Sequence, residues 1–231
     1  MRRPAILLVA AGITLGCVAG ACRAEVEYQT WGDYNAGWKT KSGLTFFGDA
    51  GLRRNHVDPR WWKVIVRPSV GYQFGRWTLA GGIGNFYTDL AGALRIYELR
   101  PWQGARVTWP DARVPLTHLF RLEERFFFDT DDSNSIFRFR FRYRLGTRFV
   151  WTRSESGRGW YSPLSIEAFF QLDDNSDERF GEQARVTAGV GRAFSPRLRV
   201  EVDLLWQKTE RFLDLYSDQE LFFRLRVFQF F

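Results

Sequence analysis

Cysteine and methionine are nearly absent. The chain has two cysteines, Cys17 and Cys22, and one methionine, Met1, all within the first 24 of its 231 residues. That stretch, "MRRPAILLVAAGITLGCVAGACRA", opens on Arg2 and Arg3, runs apolar from Ala5 and ends in small residues. It reads as a secretory signal peptide, residues 1–24, cleaved after Ala24 with Cys22 and Ala24 as the small recognition residues. The alternative is lipoprotein processing at Cys17 or Cys22. The residues before each, Thr14-Leu15-Gly16 and Ala19-Gly20-Ala21, fit that pattern poorly. A transmembrane helix needs a longer apolar run, and no stop-transfer charges follow. Residues 25–231 then hold no cysteine at all. This excludes a disulfide scaffold, a thiol nucleophile and a cysteine metal site together. Histidine is as scarce, with only His56 and His118. No Ser/His/acid set shows by spacing, although such triads need not be local. In the acidic stretch, Asp129 and Asp131 lead to Arg140 where a calcium loop needs Glu. The expectation is a protein without catalytic residues, metal or cofactor.

Long apolar runs and helical periodicity are also missing after residue 24. What is present is aromatic and charged at once. Residues 25–231 carry all 22 phenylalanines and all ten tryptophans, yet the chain's mean hydropathy is −0.30. Loss of Arg2, Arg3 and Arg23 lowers the formal charge from +7 to +4. The two residue kinds alternate. In "SIFRFRFRYRLGTRF", Phe137, Phe139, Phe141, Tyr143 and Leu145 alternate with Arg138, Arg140, Arg142 and Arg144. Period 2 recurs from about Gly43 to the end, as in "HLFRLEERFFF", "LSIEAFFQL" and "RLRVEVDLLW".

Strands of roughly ten residues, apolar on one face and polar on the other, are what a barrel wall in lipid requires. Every backbone group in a bilayer must be paired, so the sheet must close. We therefore expect one domain, residues 25–231: an all-β, closed antiparallel transmembrane β-barrel. A soluble exported sandwich is the alternative, with its polar face in solvent. Gly75-Arg76 and Ser195-Pro196 read as short turns at one end. "DTDDSNS", "DDNSDER" and "KTERFLDLYSD" read as longer loops at the other. Tyr72, Phe74, Trp77, Trp109, Trp151, Trp160 and Phe194 gather near the short turns as an interfacial girdle. Nine strands fit between Arg60 and Phe231. With both termini on one side the count is even, giving ten strands, or twelve as the alternative. "EVEYQTWGDYNAGW", residues 25–38, has no clear place in that count. Pro68 and Pro101 fall inside strands and predict local bulges.

The order of motifs resembles a known family. "EYQTW", "RPSVGYQF", "YELRPWQGARV", "FRLEERF", "RFRYRLG", "IEAFFQL" and "EQARVTAGVG" follow one another along essentially the whole of residues 25–231. The resemblance is to a bacterial family catalogued as domain of unknown function 2490 and grouped with outer-membrane β-barrels. It implies the fold and the bacterial outer membrane, and no activity or site residue. Phe231, with Phe223, Leu225 and Val227 at alternate positions before it, also resembles the terminal signal read by the barrel-assembly machinery. Gln229 departs from that pattern.

In a barrel, parity turns one set of charges inward. The candidates are Arg100, Arg121, Arg125, Arg138, Arg140, Arg142, Arg144, Arg148, Arg185, Arg224 and Arg226. Arg67, Arg106 and Arg199 share that parity, and the inward acids are Glu98, Glu123, Glu167 and Glu201 with Asp49 and Asp203. Two roles compete. Surplus arginines around a water-filled path would select anionic solutes, making a small channel. Alternatively, Glu98, Glu123 and Glu167 bridge neighbouring arginines and the barrel does not conduct. A barrel enzyme is the third and weakest reading. Expected partners are outer-membrane lipid and lipopolysaccharide, the latter bridged to acidic loops through divalent ions. Export and inward arginines argue against nucleic acid.

Overall fold

The structure, a computed structural model, describes residues 26–90, 95–109, 114–130, 135–152, 156–172, 183–210 and 217–231. The signal peptide expected over residues 1–24 lies outside the described residues, as do the polar stretches 131–134, 173–182 and 211–216. Eleven strands follow in order: β1 (Val26–Lys39), β2 (Leu44–Asn55), β3 (Trp61–Phe74), β4 (Trp77–Leu90), β5 (Arg95–Trp109), β6 (Leu116–Asp129), β7 (Ser135–Val150), β8 (Gly159–Gln171), β9 (Gln183–Ala193), β10 (Leu198–Glu210) and β11 (Ser217–Phe230). Sequence neighbours pair antiparallel, and β1 closes the barrel against β11 in parallel.

The count is thus eleven, neither ten nor twelve. Two strands precede Arg60, and the first is the segment that alternation left unplaced. An even count follows only if the closing pair is antiparallel. Here a parallel ladder runs from Val26↔Gln219 to Gly37↔Phe230 and pairs the backbone around the seam. In consequence β1 begins at the end where β11 begins. β1 alternates like the rest, with Gln29, Asp33 and Asn35 buried and Tyr28, Tyr34 and Trp38 exposed. Its pattern is hard to read because Trp31 sits on the polar row and is fully buried.

The prolines do not make bulges. The β3–β4 ladder breaks at Pro68, between Val66↔Asn85 and Ser69↔Gly82, and resumes in the same register. The β5–β6 ladder does the same at Pro101, between Leu99↔Phe126 and Trp102↔Glu123. Loss of one donor interrupts the hydrogen bonds without inserting a residue.

Connections 40–43, 75–76, 110–115, 151–158 and 194–197 lie at one end, called here the short-turn end. Connections 56–60, 91–94, 130–134, 172–182 and 211–216 lie at the far end. The contrast in length is smaller than expected, because 151–158 is longer than every far-end connection except 172–182. In the 56–60 connection, Arg60 Nε and its backbone N–H each donate to Asp58 Oδ1 at 3.1 Å, which holds that exposed carboxyl below its ordinary range.

The outer face is apolar between two aromatic belts. Trp38, Tyr72, Phe74, Trp77, Trp109, Trp151, Trp160 and Phe194 are exposed at the short-turn end. A second belt, not foreseen from sequence, rings the far end. It includes exposed Tyr28, Phe128 and Trp206, and the pairs Trp62–Tyr87 and Tyr97–Phe128, with ring centroids 5.4 and 6.1 Å apart. The apolar rows between the belts are not unbroken. Asn85, Gln103 and Glu124 interrupt them on β4–β6, and Asn85 accepts a hydrogen bond from the Tyr97 hydroxyl at 2.6 Å.

The parallel seam is directly testable. Gly32 and Leu225 are register partners on the outer face, and a Cβ at Gly32 meets open space. Gly32→Cys/Leu225→Cys, the only cysteines in residues 25–231, should cross-link on oxidation and lose both thiols to alkylation. A ten-strand barrel with residues 26–39 outside the wall would leave both thiols reactive.

A luminal septum of arginines, carboxylates and aromatic rings

The inner face of each strand brings the charged parity together. Glu98 on β5 accepts from Arg100 Nε at 2.8 Å and from Arg125 Nε at 2.7 Å. Glu123 on β6 is the most connected carboxylate and is 1% exposed. Its Oε2 accepts two bonds from Arg140, Nε at 2.9 Å and Nη2 at 2.5 Å. Arg100, Arg121 and Arg142 stand 3.7, 3.7 and 3.6 Å from its two oxygens. Glu167 on β8 accepts from Arg142 Nε at 2.5 Å and from Arg185 Nη1 at 3.4 Å. Arg185 continues to Gln207, which donates to Glu220; Gln29 also donates to Glu220, and Trp31 Nε1 donates to Gln29. One polar network therefore runs round the inner wall from β5 through β11 to β1.

Smaller clusters complete the ring. Arg224 Nε donates to Asp33 at 2.5 Å across the parallel seam. Arg67 pairs with Asp49 between β2 and β3. Arg226 Nη2 reaches Glu201 at 2.6 Å and Asp203 at 2.7 Å. Glu201 also accepts from the Tyr161 hydroxyl at 2.8 Å, and Arg148 lies 3.7 Å from it, towards solvent. Tyr161 has room because residue 191 is glycine: a Cβ there would overlap its ring.

Aromatic faces supply further neutralisation. The Arg53 guanidinium lies 3.5 Å from the Trp31 ring centroid, and those of Arg185 and Arg224 lie 5.5 Å away. Phe169 has Arg140, Arg142 and Arg185 within 5.3 Å of its centroid. Arg100 covers Phe86 at 4.0 Å and Arg121 covers Trp102 at 3.9 Å. A π face attracts a guanidinium, more so when both leave water. The rings also fill the barrel. Trp31 packs on Phe222 with centroids 4.5 Å apart, and Leu205 joins them. Trp31, Ile65, Phe86, Phe169, Leu205 and Phe222 are each 3% exposed or less.

Arg100, Arg121, Arg125, Arg140, Arg142, Arg148, Arg185, Arg224 and Arg226 lie within 4 Å of a carboxylate. Arg138 has a partner as well. Arg144, like Arg53 and Arg199, has no carboxylate within 4 Å among the described residues. Sequence reasoning missed the apolar part of the septum, together with Asp33, Gln29 and Tyr161. Trp31, Ile65, Phe169 and Phe222 occupy the polar parity of their strands. The available signal was a large apolar side chain in an otherwise polar row.

A closed wall of eleven strands around a packed, ion-paired interior defines an all-β barrel of the side-chain-filled kind. The chain belongs to the family described as Protein of unknown function (DUF2490), whose pattern matches residues 28–217. No curated protein matches it.

Removing one charge from a buried pair leaves the partner uncompensated, at about 3–5 kcal/mol. Glu123→Gln is therefore expected to lose about that much unfolding free energy, measured by denaturant titration of the refolded barrel. Because Glu123 serves four arginines, its loss should exceed that of Glu98→Gln. Surface-exposed Asp58→Asn should leave the denaturation midpoint at its wild-type position, because water screens its pair with Arg60.

Proposed function

We propose that the protein is an outer-membrane β-barrel whose lumen is sealed by the arginine–carboxylate–aromatic septum, so that it acts as a non-conducting wall element rather than an open pore. The membrane reading rests on the outer face. Between Tyr72 and Trp62 on β3, ten residues at about 3.3 Å each with typical barrel tilt give roughly 25 Å, the height of the apolar band of such barrels. An aromatic belt at each edge suits the two interfaces of a bilayer. Family membership and the export signal read over residues 1–24 agree with this placement. Outer-membrane lipid is the surrounding partner, with lipopolysaccharide at the far end.

The observation that carries the sealed reading is the burial of Trp31, Glu123, Leu205 and Phe222, each 2% exposed or less, on opposite parts of the inner wall. A water path for solutes would leave such groups wet. The reading assigns no catalytic group. His56, in the 56–60 connection, and His118, on the outer face of β6, are hydrogen-bonded to the Thr30 and Tyr143 hydroxyls at 2.5 and 2.9 Å.

One observation favours the second reading, a small anion channel. Arg53, Arg144 and Arg199 lack a carboxylate within 4 Å among the described residues, so inner positive charge exceeds its acid partners. On this reading a displaced septum would expose an arginine-lined, anion-selective path. Planar-bilayer recording separates the two. The wild-type barrel should show no steady conductance. Trp31→Ala/Phe222→Ala should open a leak that prefers chloride to potassium. Steady anion-selective current through the wild type would overturn the sealed reading.

A further inference from the structure

Outside the lumen, one cleft combines cavity, charge and aromatic faces. It lies at the short-turn end of β8 and β9, about 560 Å³ in volume, lined by Thr152, Arg158, Trp160, Arg192 and Phe194 with the backbone of residues 159 and 193. Arg192 is on the outer face of β9, register partner of Trp160 on β8. Its guanidinium lies 5.2 Å from the Trp160 ring centroid and 4.8 Å from that of Phe194, between two exposed rings. The strand ends that flank Arg158 are bonded to each other. Trp151 and Thr152 donate backbone bonds to the Trp160 carbonyl, and Trp160 N–H donates to Thr152 Oγ1 at 3.1 Å. Gly157 turns with φ of 75° close against Pro196, which brings Arg158 to the cleft.

Neither arginine has a carboxylate within 4 Å among the described residues, in contrast to most of those in the lumen. A guanidinium on the outer wall cannot stay among acyl chains. It must reach the interface, where water or an anionic headgroup meets it. Guanidinium pairs match phosphate oxygens with forked, charge-assisted bonds. Away from the turn, exposed Leu164, Val190 and Val202, the last two register partners, continue the surface as an apolar track.

We infer that Arg158 and Arg192, framed by Trp160 and Phe194, form a binding site for the phosphate of a phospholipid headgroup at the short-turn rim, with its acyl chains along Leu164, Val190 and Val202. This rests on the membrane reading above. The site would hold one lipid more firmly than the surrounding annulus and fix the depth of the β8–β9 side of the barrel.

Native mass spectrometry of the refolded full barrel from detergent, with added phosphatidylglycerol, tests the site. Wild type should keep one lipid through collisional activation. Arg158→Gln/Arg192→Gln should retain it at least about tenfold less, the loss expected for a charge-assisted bidentate contact. Arg54→Gln/Arg60→Gln, with the same loss of charge at the far end, should retain it as wild type does. Equal retention by all three proteins would overturn the site. Competition by millimolar inorganic phosphate would also overturn it, by showing a free-anion site. Liposome flotation of each protein keeps the two levels apart. A barrel that does not enter liposomes fails the membrane reading, whereas one that enters but holds no selective lipid fails only this inference.

Discussion

A guanidinium enclosed by a barrel wall can be stabilised only by what the wall itself supplies. Removing it from water costs several kcal/mol, and arginines at alternate positions add mutual repulsion. The described residues meet that constraint in two ways. Glu98, Glu123 and Glu167 take most of the charge, each facing at least two arginines. The faces of Trp31, Phe86, Trp102 and Phe169 take part of the rest. The same rings exclude water, which strengthens the ion pairs and makes breaking any one costly.

The wall is shaped to the same end. The glycine at 191 admits the ring of Tyr161, and with it the hydroxyl that binds Glu201. The parallel closure carries Asp33 beside Arg224, so the seam is held by an ion pair as well as by its backbone ladder. Had β1 been left out of the wall, Trp31 would not stand between Arg53, Arg185 and Arg224, three cations otherwise repelling across the lumen.

Much of this was legible in the sequence, because a two-residue period sorts side chains without knowledge of pairing. Alternation from about Gly43 to the end pointed to the barrel, and parity grouped the arginines with Glu98, Glu123 and Glu167, which the structure joins in ion pairs. Three features were hidden for physical reasons. Strand parity on β1 was obscured by Trp31, an apolar residue that faces inward and packs on Phe222 and Leu205. The odd count depends on the direction of one closing ladder, which no local pattern encodes. The partners across the lumen, such as Tyr161 with Glu201, are set by barrel diameter and stagger, which single strands do not reveal. Pro68 and Pro101 were read as bulges, yet each only breaks a ladder, since a lost donor need not insert a residue.

The central claim is that Glu123 and the arginines around it act as one buried electrostatic unit. A double-mutant cycle on Glu123→Gln and Arg140→Gln, read as unfolding free energy of the refolded barrel, tests it most directly. The account predicts a coupling energy above about 1 kcal/mol, as for groups sharing one buried network. Additive effects, within about 0.5 kcal/mol, would contradict it by showing that the two side chains act independently.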